Sequence, residues 1–154
     1  MRNNHILVTD ADRGEVQVFR PDGSLVRRVG HPEGEMRLPR YITVDGEGNI
    51  LVSDWFANSV RMYDESGKFL LKFGGEGSGE GQLHSPRGIC TDSSGHIIVA
   101  DSGNKRVQMF TRHGEYVRTI DTGFLVEGVA VGPEGQLVMT DYFNHSVTVF
   151  PNYL

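Results

Sequence analysis

Short apolar runs that each end in an aspartate recur along this chain. They are ILVTD ending at Asp10, ILVSD at Asp54, IIVAD at Asp101 and LVMTD at Asp141. A continuous apolar run of this length is typical of a β-strand that is covered on both faces. After each run, apolar and polar residues alternate, as in Val107, Gln108 and Met109, and this period of two indicates a second strand.

The unit that repeats is a four-stranded sheet. In its third copy the predicted strands, named a to d in chain order, are GICTD, HIIVAD, RVQMF and EYVRTI. Gly95 and Gly114 lie in turns that need a left-handed backbone. The copies recur at a spacing of roughly 40 to 47 residues, which is typical of propeller blades, and each blade needs neighbours to cover its apolar faces. The pattern therefore predicts an all-β fold, a partial β-propeller.

Four blades are predicted, and two of them are complete. Residues 41–73 and 88–120 contain all four strands, residues 5–29 contain strands b, c and d, and residues 128–150 contain strands a, b and c. A closed propeller needs about four to eight blades, so we expect a propeller fragment. It is either a piece of a longer chain or a chain that completes its ring with a second copy. Uncovered faces on the end blades predict self-association.

Composition narrows the choice of function. The 15 basic and 20 acidic residues leave a net charge of -5, which disfavours a protein built as a whole for nucleic acid. The single cysteine, Cys90, excludes an internal disulfide and a cysteine-built zinc site. It suits a reducing compartment, so we expect a cytoplasmic location. The chain has no apolar run long enough to cross a membrane, and its six histidines show no metal-ligand spacing, so neither a membrane partner nor a cofactor is expected.

The repeated polar residues are expected to be structural. Asp at the end of a strand usually accepts hydrogen bonds from the backbone of the following turn, so the four aspartates are predicted turn caps rather than metal ligands or catalytic groups. Strand d carries basic residues that protect an exposed edge strand from pairing with other chains. A basic surface for a partner is the alternative. These residues are Arg27, Arg28, Lys72 and Arg118.

The candidate binding surface is one rim of the propeller. Because neighbouring strands run in opposite directions, the start of strand a and the loop between strands b and c lie on the same rim, which we call the first rim. Aromatic and guanidinium groups there suit unpaired bases and phosphates, or a protein interface, although some of the aromatic rings could instead pack between blades. The candidates are Arg40, Trp55, Phe56, Asn58, Arg87, Asn104, Lys105, Arg106, Tyr142, Phe143 and His145.

Acidic residues limit how basic either rim can be. On the first rim they would confine any basic surface to the mouth of the central channel. They are Glu33, Glu35, Glu76, Glu80, Asp121 and Glu127. The opposite or second rim, made of the a–b and c–d turns, is acidic through Asp45, Glu47, Asp92 and Glu134.

The order of proline, inner strand, DSSGHIIVAD, an Asn-containing turn and RVQMF resembles the NHL repeat. The resemblance is strongest at residues 86–120 and at Asn144 and His145, and the linker GGEGSGEGQLHSPRG is similar to the one that joins blades in tripartite-motif (TRIM-NHL) ubiquitin ligases. The first copy departs from the pattern with Arg13 and Gly14, and the fourth has Glu127 where Arg40 and Arg87 stand.

The resemblance implies a recognition module of NHL-type blades that binds a substrate or partner protein, within a longer E3 ubiquitin ligase. RNA binding through the first rim is the alternative. A propeller enzyme, such as a lyase or lactonase, is the third possibility. Strand a offers no carboxylate or imidazole to a metal in the channel, so we expect this chain itself to be non-catalytic. The residues that strand a places beside the channel in the last three blades are Ile42, Thr43, Ile89, Cys90, Val129 and Ala130.

Overall fold

The computed structural model of the protein describes residues 4–30 and 36–153. Glu33 and Glu35, expected to add negative charge to the first rim, lie outside these residues. The described chain forms four antiparallel sheets and no α-helix. Within it, no helix has the length and apolarity needed to cross a membrane.

Each sheet is a simple meander whose strands pair in chain order. Blade I contains β1 (Ile6–Asp10), β2 (Glu15–Phe19) and β3 (Leu25–Val29). Blade II contains β4 (Pro39–Val44), β5 (Ile50–Asp54), β6 (Ser59–Tyr63) and β7 (Phe69–Gly74). Blade III contains β8 (Ile89–Thr91), β9 (Ile97–Asp101), a 3₁₀ turn (Ser102–Asn104), β10 (Arg106–Phe110) and β11 (Tyr116–Asp121). Blade IV contains β12 (Val126–Val131), β13 (Leu137–Asp141) and β14 (Ser146–Phe150).

The innermost strands bring the blades together. Strand β1 contacts β4, β4 contacts β8, and β8 contacts β12, so successive blades lie side by side along the inner edge. The predicted all-β partial propeller is confirmed by this arrangement. Two inner strands begin earlier than the predicted blade boundaries, at Pro39 and Val126. Pro39 occupies the first position of its strand, where its missing N–H removes no bond from the middle of the ladder.

In blades II and III the continuous apolar runs are covered on both faces, because each of these runs lies between two seams, the interfaces between neighbouring blades. In β5, Ile50 and Val52 pack in the cluster shared with blade I, whereas Leu51 packs in the cluster shared with blade III. All five residues of β5 are buried, and so are all five of β9. Burial of one such aliphatic side chain contributes about 1.5 to 3 kcal/mol. The seams therefore stabilise the fold.

The repeated aspartates tie each blade to its loops. Asp54 accepts hydrogen bonds from the N–H of Ala57 in the turn that follows (2.9 Å) and from the N–H groups of Arg37 (2.7 Å) and Leu38 (3.0 Å) in the preceding linker. Asp101 likewise accepts from the N–H of His84 (2.7 Å). Each of these carboxylates thus joins the end of strand b to the linker that leads into the same blade. In the turn that follows it, Asp10 accepts a hydrogen bond from the backbone N–H of Arg13 (3.1 Å). Asp141 likewise accepts a hydrogen bond from the backbone N–H of Asn144 (3.2 Å).

Candidate functional site

The first rim is assembled by backbone hydrogen bonds between the end of strand b and the start of strand a. In blade II the N–H of Trp55 donates to the carbonyl of Leu38 (3.0 Å), and in blade III the N–H of Arg87 donates to the carbonyl of Ala100 (2.9 Å). Hydroxyl groups extend this contact across the seams: Ser53 Oγ donates to the carbonyl of Arg87 in the next blade (2.6 Å). The b–c loops are therefore held beside the channel mouth.

The fourth residue after each repeated aspartate has a left-handed backbone, which turns the b–c loop sharply. These residues are Gly14 (φ 63°), Asn58 (φ 54°), Lys105 (φ 53°) and His145 (φ 51°). The sharp turn leaves the first two residues of the loop at its tip. In blades II and IV those two residues are aromatic.

Three aromatic side chains project into solvent from these tips. Phe56 is 57% exposed, Tyr142 is 64% exposed and Phe143 is 65% exposed. The rings of Tyr142 and Phe143 pack edge to face with centroids 5.4 Å apart. Trp55 is half-buried, and its indole Nε1 is buried without a hydrogen-bond partner among the described residues. We call Trp55, Phe56, Tyr142 and Phe143 the loop aromatic surface.

Two arginines lie over the aromatic rings in the b–c loop of blade II. The guanidinium carbon of Arg37 is 5.5 Å from the centroid of the Phe56 ring, and that of Arg40 is 6.0 Å from the Trp55 ring. Both distances are within the range of cation–π attraction. Sequence reasoning missed Arg37, because nothing in the linker GHPEGEMRL indicates that this side chain reaches the loop of its own blade.

Arg106, a predicted binding residue, is buried and has internal partners. Its guanidinium donates to Asp101 Oδ2 (2.6 Å) and to the backbone carbonyls of Ser78 (2.9 Å), Gly79 (2.9 Å) and Gln82 (3.0 Å). Charge-assisted bonds of this kind are strong and directional. Arg106 therefore holds the glycine-rich linker between blades II and III and presents little of its charge to a partner.

The two asparagines predicted to bind a partner also form hydrogen bonds to linkers between blades. Asn58 Oδ1 accepts from the N–H of Ser85 (2.8 Å), and Asn104 Nδ2 donates to the carbonyl of Gly77 (2.8 Å). By contrast, the side chains of Lys105 and His145 are exposed at the turn. Of the polar loop residues predicted for binding, these two remain accessible.

Arg87 is neutralised at the channel mouth. Its guanidinium pairs with one carboxylate oxygen of Glu127 in blade IV, and the other oxygen accepts the hydroxyl of Tyr41 in blade II. Burial and this hydrogen bond raise the pKa of Tyr41 to about 12. The contact joins blades II, III and IV. It also removes most of the positive charge that Arg87 would offer to a phosphate.

The Tyr41 contact predicts an alkaline transition. The folded protein holds the phenolic proton of Tyr41 more tightly than an unfolded chain does, where the usual pKa is 10.0. The contribution of this contact to the free energy of unfolding is therefore complete below pH 10 and is lost as the pH rises toward 12. Ultraviolet titration of tyrosinate should show Tyr41 ionising late, together with Tyr153, whose pKa burial and a hydrogen bond to Asp92 also raise to about 12. Tyr41→Phe should remove part of the late component. Loss of an early component instead would contradict the contact.

The described residues contain no group of three or more His, Cys, Asp or Glu side chains placed to hold a metal ion. Burial and, secondarily, the nearby Asp92 carboxylate raise the pKa of the Cys90 thiol to about 12. The thiol is therefore protonated at neutral pH and is a poor nucleophile.

The fold and the rim define the chain as a segment of a β-propeller. Residues 83–110 match the NHL repeat family. A comparison with curated protein sequences found no match. The match covers one repeat, so the finer resemblance to tripartite-motif ligases stays a prediction.

Solved structures share the fold across nearly the whole chain. A streptogramin B lyase aligns with a TM-score of 0.76 and 14% identity, over 99% of this chain and 53% of the lyase. The WD40 β-propeller domain of Doa1 aligns with a TM-score of 0.77 and 15% identity, over 97% of this chain and 47% of that one. A chain of the nidogen/laminin complex aligns with a TM-score of 0.77 and 20% identity, over 95% of this chain and 54% of that one. This protein thus spans about half the length of the structures that it matches, and identities this low show the shared fold alone.

Proposed function

We propose that this propeller segment is a non-catalytic recognition module that binds a partner protein through the loop aromatic surface. The observation that carries the proposal is the exposure of Phe56, Tyr142 and Phe143 at the tips of loops on one rim. Aromatic residues and arginines are the side chains that most often dominate the binding energy of protein interfaces. In blade II, Arg37 lies over the Phe56 ring and Arg40 lies over the Trp55 ring.

The charges on this rim favour a protein over RNA. Arg87 is paired with Glu127, and Arg106 is buried against Asp101. The basic groups left at the rim are few, and the net charge of the chain is -5. RNA affinity depends mainly on neutralising phosphates, so a rim on which Arg87 and Arg106 are already neutralised suits RNA poorly. RNA binding by base stacking remains the second candidate, because exposed aromatic rings can also stack bases.

An enzyme is the third candidate, and the structural similarity to a streptogramin B lyase favours it. Against it, the Cys90 thiol is protonated at neutral pH, and the other predicted channel-facing residues of strand a are apolar or threonine. Incubation with a streptogramin B antibiotic, followed by mass spectrometry, tests this candidate. Cleavage of the antibiotic would overturn the non-catalytic proposal.

We further place the module in a TRIM-NHL type ubiquitin ligase of the cytoplasm. The NHL match at residues 83–110 and the single cysteine support this placement. The ligase chemistry would come from other parts of a longer protein, with this segment selecting the substrate. Localisation of the natural full-length protein and an assay of ubiquitin transfer by it would test both points.

We also propose that the end blades bind a second copy of the chain. Val147 and Val149 of blade IV are exposed, yet Val60 and Met62 occupy the same repeat positions in blade II and are buried in a seam. On blade I, Ile6 and Val8 are exposed at positions where Ile50 and Val52 are buried in blade II. The two end faces are therefore the two halves of one repeated seam, so blade IV of one copy fits blade I of another.

The loop aromatic surface predicts a loss of peptide binding on mutation. Peptides selected from a random library on the immobilised protein should bind a variant carrying Phe56→Ser, Tyr142→Ser and Phe143→Ser about a hundredfold more weakly, because aromatic hot spots dominate such interfaces. The affinities are measured by fluorescence anisotropy. The matched control carries Leu25→Ser and Val117→Ser, two exposed apolar residues of outer strands, and should bind normally.

Two results would decide against this function. Selected peptides that bind the aromatic variant as well as the parent would place binding elsewhere. Labelled oligouridine that binds the parent tightly at low salt, loses affinity steeply with added salt and fails to bind the aromatic variant would favour RNA as the ligand.

A further inference from the structure

A cleft opens on the second rim, opposite the loop aromatic surface. It lies at the seam between blades II and III and has a volume of about 500 Å³, which is within the usual range of ligand pockets. Met62 and Leu71 of blade II supply apolar lining. The turns that begin at Asp45 and Asp92 form two walls, and an exposed ion pair between Glu47 and Arg112 (3.5 Å) crosses the seam.

At the next seam, between blades III and IV, the chain itself supplies an occupant. Tyr153 follows β14 and is 3% exposed, packed in the apolar cluster that contains Met109. Its hydroxyl donates to Asp92 Oδ2 (3.1 Å), and its backbone carbonyl accepts from Arg118 Nη1 (2.6 Å). A tyrosine is thus held at this seam by an aspartate, a methionine and an outer-strand residue.

The cleft between blades II and III has corresponding parts at the same repeat positions. Asp45 corresponds to Asp92, since each lies nine residues before the aspartate that ends strand b, and Met62 corresponds to Met109 in the same frame. Leu71 corresponds to Arg118 on the outer strand. The two clefts therefore share the aspartate and the methionine, and they differ in the outer-strand residue and in the aromatic ring that Tyr153 places in one of them.

The two aspartates are also bonded alike. Asp45 Oδ1 accepts from the N–H of Asn49 (2.9 Å) and Oδ2 accepts from its Nδ2 (3.0 Å). Asp92 Oδ1 accepts from the N–H of His96 (2.9 Å), and Oδ2 contacts its Nδ1 (2.9 Å). Asp92 Oδ2 then takes the Tyr153 hydroxyl as a further donor. Each carboxylate oxygen can accept two hydrogen bonds, so Asp45 Oδ2 can take a hydroxyl in the same way.

We propose that the cleft between blades II and III binds an unmodified tyrosine side chain of a partner peptide. The ring packs on Met62 and Leu71, and the hydroxyl donates to Asp45. Thioether contacts with aromatic rings are favourable, and a buried tyrosine usually needs a partner for its hydroxyl. A phosphotyrosine is disfavoured, because its phosphate would meet the carboxylates of Asp45, Glu47 and Asp92, and Arg112, the arginine of the cleft, is already paired with Glu47. This site is on the opposite rim from the loop aromatic surface, so either proposal can fail without the other.

The first test uses N-acetyl-tyrosinamide and isotope-labelled protein. Titration should shift the backbone amide resonances of residues 46–49 and 93–95 in a saturable manner. N-acetyl-phenylalaninamide should bind about tenfold more weakly, since it cannot make the hydrogen bond to the carboxylate. The phosphotyrosine analogue should produce no saturable shift. Absence of saturation with the tyrosine probe, or equal binding of the phenylalanine probe, would overturn the proposal.

Two variants and one control locate the site. Leu71→Trp fills the cleft and should abolish the shifts, while Val117→Trp, on the exposed face of an outer strand, should leave them unchanged. Asp45→Asn keeps an oxygen for the turn but removes the charge, so it should bring the affinities of the tyrosine and phenylalanine probes within about threefold of each other. Shifts that survive Leu71→Trp, or discrimination that survives Asp45→Asn, would show that the probe binds elsewhere.

Tyr153 offers a rescue experiment at the neighbouring seam. Tyr153→Ala should open an equivalent vacancy, so N-acetyl-tyrosinamide should raise the melting temperature of this variant more than that of the parent protein. Combining it with Leu71→Trp restricts the probe to the new vacancy. Absence of rescue would contradict the equivalence of the two seams, on which the proposal depends.

Discussion

Replacing Asp101 with alanine is expected to cost about 3 to 5 kcal/mol of the free energy of unfolding. The Asp101 carboxylate is fully buried and accepts from Arg106 Nε (2.6 Å), Asn104 Nδ2 (3.0 Å), Gln108 Nε2 (3.2 Å) and the N–H of His84 (2.7 Å). Without it, the buried guanidinium of Arg106 loses the carboxylate with which it forms an ion pair and, among the described residues, keeps only carbonyl acceptors. An unpaired buried charge is far more costly than the loss of one ordinary hydrogen bond.

Denaturant unfolding followed by circular dichroism measures this loss, and the repeat provides the control. Asp10 occupies the same position in blade I, where its carboxylate is partly exposed and bonds to Arg13 and Gln17. Asp10→Ala should cost only about 1 kcal/mol, as for a simple turn cap. Equal losses at the two positions would mean that the Asp101 network adds nothing to turn capping.

The substitutions Val147→Asp and Val149→Asp together are expected to convert a self-associated protein into a monomer. In the proposed assembly these two side chains become buried against blade I of the other copy, as Val107 and Met109 are buried against blade IV within one chain. Two carboxylates placed in such a seam would have to be desolvated without partners. We expect the dissociation constant to rise at least about a hundredfold.

Sedimentation equilibrium over a range of concentrations tests the assembly. The parent protein should sediment as two or more copies, and the double variant as one. Val117→Asp, on an exposed outer strand, is the control and should leave the association unchanged. A parent protein that remains monomeric at high concentration would disprove the proposed pairing of end blades.

The fold could be predicted because its signals are local. Strand IIVAD is indicated by its continuous apolar run, and strand RVQMF is indicated by its alternation of apolar and polar residues. The recurrence of the unit predicts that each sheet must be covered by a neighbouring sheet. The exposed aromatic tips were also predictable, since Phe56, Tyr142 and Phe143 lie in loops whose position follows from strand direction.

The polar part of the candidate site was harder to predict from the sequence. Arg87 and Arg106 are of a residue type that often binds partners. Whether an arginine can contact a partner, however, depends on which carboxylates and carbonyls the fold brings to its guanidinium. For Arg87 the partner is Glu127, forty residues further along the chain, and for Arg106 the partners include the linker carbonyls of Ser78 and Gly79.

The sequence by itself determined the strands, the repeat and the faces that each strand must bury, because period and hydrophobicity are properties of neighbouring residues. The tertiary structure alone decided which charges are neutralised at the channel mouth and that Tyr153 fills one seam, while no described residue fills the equivalent cleft. Those outcomes depend on distances between residues far apart in the chain, and the packing of blade against blade sets these distances.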